Sequence, residues 1–533
     1  MKKYSILILI LLVLGVISCK NFKRSKRLVV RDTSINTSTS FNNIFFDSVQ
    51  VEDFIKTHPE FKPYEEQFID FYKERNYQYA WFDNKGIAEQ SFNFLNLLNS
   101  TVSDLQDSSL YNPTLTQLYD TAIADSLHKQ SQEKIINTEL SFTGQFFAYA
   151  AKVYKGSDID AADLGWFIPR KKLNLSALLD SSIKSKATDI EIYAKQNPQY
   201  KKLQENLVRY NEIEKNSVFD SIPYVKKPFK KGDSSLTISL IKRRLFVLGD
   251  IKIADTTQKF DSSTIIAVKK FQRRMGLSID GSVGNKMIEE LNVPIKWRIR
   301  QLLVNMERLR WMPPEKDSNY ILVNIPEYRL HVFDSGKTVM DMNVIVGKSA
   351  NSTVIFTGNL KYIVFSPYWN VPTSIVKKEI VPSIEKNSNY LEKNHMEITG
   401  KSNGLPLVRQ IPGSFNSLGL VKFLFPNNYD IYLHDTPNRD LFSQSSRSLS
   451  HGCIRISEPK KMAQYLLRYD STWNSNNIDS SMHLSKERWV TLKKTIPVLI
   501  VYFTAWVDKS GELNFRKDIY GHDEKMATKL FTK

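Results

Sequence analysis

The sequence predicts a multidomain α+β protein, helical in its N-terminal part, with a small helical domain next and a mainly antiparallel β domain in its C-terminal part. Three observations predict it. The chain has 533 residues, more than one hydrophobic core organises at roughly 100–200 residues per domain, so about three units are expected. Apolar residues fall at helical spacings from Val51 to Tyr224, as in Phe68, Phe71 and Tyr72 or Phe92, Leu95 and Leu98, and the pattern becomes β after Trp311. Between these regions Lys226-Lys227-Pro228 and Lys231-Gly232-Asp233 break the helical pattern and mark a boundary.

The first element is a secretory signal over residues 1–19. Met1-Lys2-Lys3 precedes an almost unbroken apolar run from Ile6 to Ile17, shorter than the ~20 residues that cross a bilayer, so cleavage is expected rather than a permanent helix. Val16-Ile17-Ser18-Cys19 resembles the lipobox of bacterial lipoproteins, which implies that Cys19 is lipidated and anchors the chain to a membrane. The alternative is an ordinary signal that ends near a Cys. Residues 20–47 are rich in Ser, Thr, Asn, Lys and Arg without periodicity as far as Asn43 and are expected to be a flexible tether.

Residues 48–225 are expected to form the helical domain. Tyr77, Tyr79, Trp81 and Phe82 make an aromatic knot before the turn Asp83-Asn84-Lys85-Gly86, and core packing explains them more simply than ligand binding does. Residues 230–293 follow as a small domain. Its landmarks are Phe260-Asp261, Thr264, Ala267-Val268, Phe271-Gln272, Gly276-Leu277, Asp280-Gly281, Val283-Gly284 and Leu291. They resemble the three-helix peptidoglycan-binding domain found beside many wall enzymes, with Met287 and Glu290 where Thr and Ala are common. After a basic, aromatic helix around Trp297 to Trp311, strands are expected at Tyr320–Ile325, Tyr328–Phe333, Thr338–Val346, Leu360–Phe365, Val421–Phe425, Ile431–His434 and Val498–Val507.

A composition of 41% hydrophobic and 24% charged residues excludes a disordered chain or a polytopic membrane protein. The formal charge of +18 is spread along the sequence, which suits a solvated surface, and export argues against nucleic acid as a partner. Lys20 to Arg31 would lie beside the membrane after lipidation and touch anionic head groups.

The chain has two cysteines. With Cys19 acylated, Cys453 is the only free thiol of an exported protein. Read alone, it is as easily a packing residue as a nucleophile. Its neighbours decide. Ile431-Tyr432-Leu433-His434-Asp435-Thr436-Pro437 precedes Ser450-His451-Gly452-Cys453-Ile454-Arg455, with Cys453 nineteen residues after His434. A thiol of pKa ~8.5 is scarcely ionised at neutral pH and needs a histidine to take its proton or hold the thiolate. His451 is too close in sequence for clean contact, so His434, at a strand end, is the expected base, and His451 shapes the loop and the substrate pocket. Gly452, lacking a Cβ, allows its N–H and that of Cys453 to form an oxyanion hole. Ser457 is expected to cap a helix through Met462, Tyr465 and Leu466. Arg455 binds a substrate carboxylate or pairs with an acidic neighbour. A zinc site of His434, His451 and Cys453 matches no standard spacing, and no metal is expected.

These runs are similar to the signature of the YkuD-type L,D-transpeptidases, and in particular to their large YcbB-like subfamily. Val323-Asn324-Ile325-Pro326, Val346-Gly347-Lys348, Pro367-Tyr368-Trp369-Asn370-Val371-Pro372 and Lys422-Phe423 before Phe425-Pro426-Asn427 carry the likeness further. The resemblance implies a helical scaffold, a peptidoglycan-binding module and a catalytic domain over 298–533, whose segment at about 373–419 is a lid insertion. It implies Cys453 as nucleophile, His434 as base, His451 and Gly452 at the oxyanion and substrate pocket, and Tyr432 and Trp369 lining the cleft. It also implies cross-linking of third-position stem residues of peptidoglycan through a Cys thioester with release of D-Ala, no cofactor, and acylation by carbapenems. Transfer of the thioester to water, making an L,D-carboxypeptidase, or to a protein remains open at this point. So does a non-enzymatic lipoprotein tether that grips murein.

Overall fold

The computed structural model describes residues 44–105, 108–124, 130–187, 190, 197–217, 220–313 and 318–531. The signal, the lipobox with Cys19 and most of the tether lie outside the described residues. Among the described residues, no helix is long and apolar enough to cross a membrane. The chain divides into two compact units, one of residues up to 151 with 173–194, the other of 152–172 with 195 onward.

The first unit is built from helices Val49–Thr57, Glu65–Glu74, Glu89–Leu105, Pro113–Ala124, Gln132–Ala150 and Leu175–Lys184, with a short hairpin of β1 (Phe82–Asp83) and β2 (Gly86–Ile87). Ser131 and Asn174 start two of these helices by accepting the N–H groups of Lys134 and Ala177, which would otherwise be orphaned at a helix end. The aromatic knot is core, since Tyr77, Tyr79, Trp81 and Phe82 are all buried. Phe92 is exposed, and Phe94 takes the inward place beside Leu95 and Leu98. At the centre, Glu139 accepts from the backbone N–H groups of Ala80 (2.6 Å) and Trp81 (2.9 Å) and from the Tyr72 hydroxyl (2.8 Å).

The helical region expected over 48–225 is therefore divided. Helix Pro198–Asn216 belongs to the second unit, where Arg310 donates to the Tyr200 hydroxyl (2.8 Å) and Gln199 bonds both ways with Val507. The small domain has three helices, Leu236–Val247, Ser262–Arg274 and Asn285–Leu291, the second capped by Asp261 on Thr264 N–H. Its landmarks have structural work: Gln272 bonds Asp280 (2.7 Å), Ser282 O (2.9 Å) and Gly281 N–H (2.9 Å). Glu290 pairs with Arg298 of the next helix, Ile295–Trp311.

Strands of the C-terminal part are β3 (Tyr320–Asn324), β4 (Arg329–Asp334), β5 (Lys337–Gly347), β6 (Thr357–Phe365), β7 (Trp369–Asn370), β8 (Met396–Ser402), β9 (Leu405–Gln410), β10 (Val421–Leu424), β11 (Leu433–His434), β12 (Ser448–Ser450), β13 (Ile454–Ile456), β14 (Arg488–Val501), β15 (Ala505–Val507) and β16 (Leu513–Phe515). Nine form one sheet in the order β12-β5-β13-β11-β10-β6-β14-β3-β4, and β4 also pairs with β5, so eight of the strands close into a barrel around the core while the short β12 pairs with β5 alone. Most pairs are antiparallel; β11–β13, β12–β5 and β14–β3 are parallel.

Three expectations are corrected here. The strand at Ile431–His434 shortens to Leu433–His434, because Asn427 bonds both backbone groups of Ile431 and Asp430 turns at φ +54°. The strand at Val498–Val507 is two strands, because the N–H groups of Phe503 and Thr504 go to the side chains of Asn324 and Asn305. Ser457 is not a helix cap. Its hydroxyl accepts Asn343 N–H (3.1 Å), and the helix begins at Pro459, whose fixed φ suits the first turn.

Between β6 and β10, β7, β9 and β8 form a separate three-stranded sheet over short helices at Val381–Lys386 and Tyr390–Lys393. This insertion has its own small core of Val371, Val376, Ile380 and Val408. Its exit is tied to its entry by Asn416, fully buried, which donates to Pro367 O (3.0 Å) and Ile411 O (2.9 Å).

Candidate active site

Register places the chemistry. On the parallel pair β11–β13, Leu433 faces Ile454 and His434 faces Arg455. Side chains alternate along a strand, so Tyr432, His434, Cys453 and Arg455 share one face, while the fully buried Leu433 and Ile454 occupy the other. Lys422 of β10 stands opposite His434 on the far side. Cys453 and His434 are thus diagonal neighbours on adjacent strands.

The thiol is partly buried and donates to Asp430 O at 3.4 Å. Burial pushes its pKa up; the Tyr432 backbone and hydroxyl and the Arg455 charge pull the other way. His434 is buried, its Nδ1 has no hydrogen-bond partner, and its ring lies 5.7 Å from that of Tyr432. Burial first, then the charges of Arg455 and Lys422, push its pKa down to about 3. At neutral pH the resting pair is therefore a neutral thiol beside a neutral imidazole, not an ion pair. An unpaired, unprotonated ring nitrogen in a dry site is available to receive a proton.

The loop that carries Cys453 is held from several sides. Gly452 has φ +120°, a conformation that a Cβ disfavours. Its N–H donates to Ser450 Oγ (3.1 Å), which donates in turn to Cys453 O (2.6 Å). The expected oxyanion pair is corrected accordingly: Gly452 N–H is already used within the loop, and Cys453 N–H remains. Thr353 Oγ1 donates to Gly452 O (2.8 Å) and accepts Gly347 N–H (2.9 Å). Carbonyl and N–H of one trans peptide point in opposite directions, so Thr353 fixes where Cys453 N–H points. Tyr520 adds a bond to Gly347 O (2.6 Å) and receives one from Thr353 N–H (3.3 Å). A Cβ on Gly347 would lie 2.1 Å from Asn351 O and 3.1 Å from Gly452 Cα, so only glycine admits the loop here.

The remaining expected residues are spread around this centre. His451 is half-exposed, and its Nε2 lies 3.4 Å from Glu379 Oε1 of the insertion. Arg455 makes no ion pair among the described residues and its Nε is buried without a partner, so the acidic-neighbour alternative is not realised. Trp369 sits in a different sheet from Tyr432, paired with Gln410 and packed on the insertion core. Among the described residues no group of three or more His, Cys, Asp or Glu is arranged to hold a metal ion.

Residues 318–492 match the family model of the L,D-transpeptidase catalytic domain, YkuD, and so contain every residue of this centre except Tyr520. The chain carries a YkuD catalytic domain. Residues 66–207 match a scaffold domain, and residues 235–291 a provisionally named peptidoglycan-binding domain. A Haemophilus influenzae protein, provisionally named an L,D-transpeptidase, is 31% identical over 243 residues, 43% of this chain and 49% of that protein. The chain thus spans about half the length of that relative. Among solved structures, an L,D-transpeptidase from Stackebrandtia nassauensis is 14% identical with TM-score 0.22, covering 52% of this chain and 97% of that one. L,D-transpeptidase 3 of Mycobacterium tuberculosis, solved with a faropenem-derived adduct, is 14% identical with TM-score 0.18, covering 34% and 60%.

Within the YkuD domain, sequence reasoning missed Thr353, Asp430 and Glu379 and gave Lys422 no role, and beyond it missed Tyr520. The Val346-Gly347-Lys348 run pointed near Thr353. Nothing local signals Tyr520, which reaches Gly347 across 173 positions of sequence.

Proposed function

We propose that the protein is an L,D-transpeptidase that joins third-position stem residues of peptidoglycan through an acyl thioester on Cys453. The observation that carries the proposal is the shared strand face of Tyr432, His434, Cys453 and Arg455, in a loop whose Gly452 N–H is bonded to Ser450. Cys453 attacks the carbonyl of the third stem residue while its proton passes to His434, whose neutral ring suits a base that works only as attack begins. Cys453 N–H, aimed by Thr353, donates to the oxyanion. The C–N bond to D-Ala breaks, and His434 returns the proton to the departing amine. In the second half, the side-chain amine of another stem attacks the thioester, a C–N bond forms, and the C–S bond breaks to restore the thiol.

Arg455, without an ion pair to a carboxylate among the described residues, is assigned to a substrate carboxylate, and Tyr432 and Trp369 to the cleft walls. The insertion over 373–419 is read as a lid, touching the catalytic loop through Glu379 and His451. Acylation by carbapenems follows from the same thioester chemistry. Lipidation at Cys19 would hold the catalytic domain at a periplasm-facing membrane surface, which the mass of the mature N-terminal peptide tests.

The reading is tested by incubating the full chain with disaccharide-tetrapeptide and weighing the products. A dimer lacking one D-Ala is expected. Monomeric tripeptide alone would assign the carboxypeptidase reaction instead. Equal turnover by Cys453→Ala would remove Cys453 from the reaction, and no turnover by the native chain would leave a murein tether, which keeps its wall affinity without the thiol.

A further inference from the structure

A groove of about 540 Å³ lies in the second unit, between the three-helix module and the β domain. Arginines come to it from four segments: Arg273 from the module, Arg329 from the start of β4, Arg447 from the approach to the catalytic loop and Arg516 from just after β16. Tyr328 and Trp506 line it between them, with Arg447 over the Tyr328 ring (5.3 Å) and Arg516 over that of Trp506 (4.8 Å).

The positive charge here is under-compensated. Arg329 pairs with Asp341. Arg447 donates only to neutral groups, Val344 O (3.2 Å), Gln444 O (2.7 Å) and Tyr328 O (3.1 Å) among them. Arg516 likewise donates to the carbonyls of Arg274 (2.9 Å) and Phe515 (2.8 Å). Two carboxylates in the lining offset part of this charge: Glu327 acts on Arg329, Arg447 and Arg516 while facing His331 (3.2 Å), and Asp508 acts on Arg516 while accepting Ser510 N–H (2.9 Å) and Asn514 (3.0 Å) in its own turn, so the four arginines still outnumber the carboxylates there. Burial, then repulsion from Arg329 and further from Arg516, pushes Arg447 down to about 10. Guanidinium groups forced together in a concavity lower their mutual repulsion by taking an anion, and their planar forks fit carboxylates.

We propose that this groove is a second peptidoglycan subsite, binding carboxylates of a peptide stem other than the one that acylates Cys453. The inference rests on the peptidoglycan reading of the catalytic site. Its position supports it: Arg447 is six residues before Cys453, at most ~22 Å along an extended chain, and β12 runs between them.

The test uses the full chain with Cys453→Ala, so that binding is read without turnover, and disaccharide-tetrapeptide as probe beside the same probe with its carboxyls amidated. Arg273→Glu changes an exposed side chain and is expected to weaken binding of the free-carboxyl probe roughly 5-fold or more and to flatten its salt dependence. Arg273→Lys should restore it, the amidated probe should bind weakly to every variant, and Arg447→Gln should act in the same direction. With Cys453 present, carbapenem acylation of Arg273→Glu should keep its rate. Undiminished binding to Arg273→Glu, or equal binding of the amidated probe, overturns the groove. Absence of turnover by the native chain strikes the catalytic reading instead, because groove binding is measured separately.

Discussion

Glu139 in the first unit and His434 in the second are both buried ionisable side chains, yet their surroundings differ. Three donors converge on the Glu139 carboxylate, whereas His434 Nδ1 has none and stands between two cations. Burial moves both away from ordinary values, Glu139 up to about 7 and His434 down to about 3. A buried polar group with every valence met organises a core; one left unmet marks a place where something has yet to arrive.

Replacement of His434 is the sharpest way to break the contrast. His434→Gln keeps a neutral side chain of similar size and removes the base, so Cys453 acylation by disaccharide-tetrapeptide should fall roughly 10²- to 10⁴-fold. Unchanged helix content by circular dichroism would show that the fold persists. The native acylation rate should also lack an acid limb near pH 6.5, because the folded imidazole stays neutral far below that. A limb at 6.5 would mean that the ring is solvated and the buried-base account wrong.

Next in size is the loop clamp. Thr353→Val removes the bond to Gly452 O and frees the peptide that aims Cys453 N–H, and kcat should drop by about 10- to 100-fold with KM little changed. Thr353→Ser, which keeps the hydroxyl, should recover most of it. A rise in KM alone would make Thr353 a substrate-pocket residue rather than a positioning one.

Much of this was legible in the sequence, and what was hidden has a physical cause. Cys453 and His434 were readable because strand ends and a Gly-containing turn carry local signals, and the domain order followed from period and punctuation. Thr353 and Tyr520 were not, because their partners are brought close only when the barrel closes. The role of Gly452 N–H was misjudged since a serine two positions away competes for it, a local bond that short hydroxyl side chains often make. Nothing local in the sequence marks Glu139 as a core residue. Only the turn at Ala80 and Trp81, folded back on it, makes it core.

For Glu139 the expected effect is on stability. Glutamine offers one acceptor oxygen where three donors converge, so Glu139→Gln should cost about 1–3 kcal/mol at pH 5 and leave Cys453 acylation unchanged.

The smallest effect is a difference of sign with pH. A carboxyl whose folded pKa lies above its unfolded value of ~4.3 gives stability that is fully present below that value and lost as pH rises through about 7. The folded imidazole titrates below its unfolded value of ~6.5, so stability is fully present above 6.5 and lost as pH falls toward about 3. Each slope is bounded at about 1.4 kcal/mol per pH unit. Hydrogen exchange can read the two separately, at helix Gln132–Ala150 and in the strands beside β11. Between pH 5 and 6.5, Glu139→Gln should remove a downward slope from the helix and His434→Gln an upward one from the strands. If both replacements altered protection with the same sign, at least one of the two groups would not titrate in the direction its burial requires, and the comparison would lose its basis.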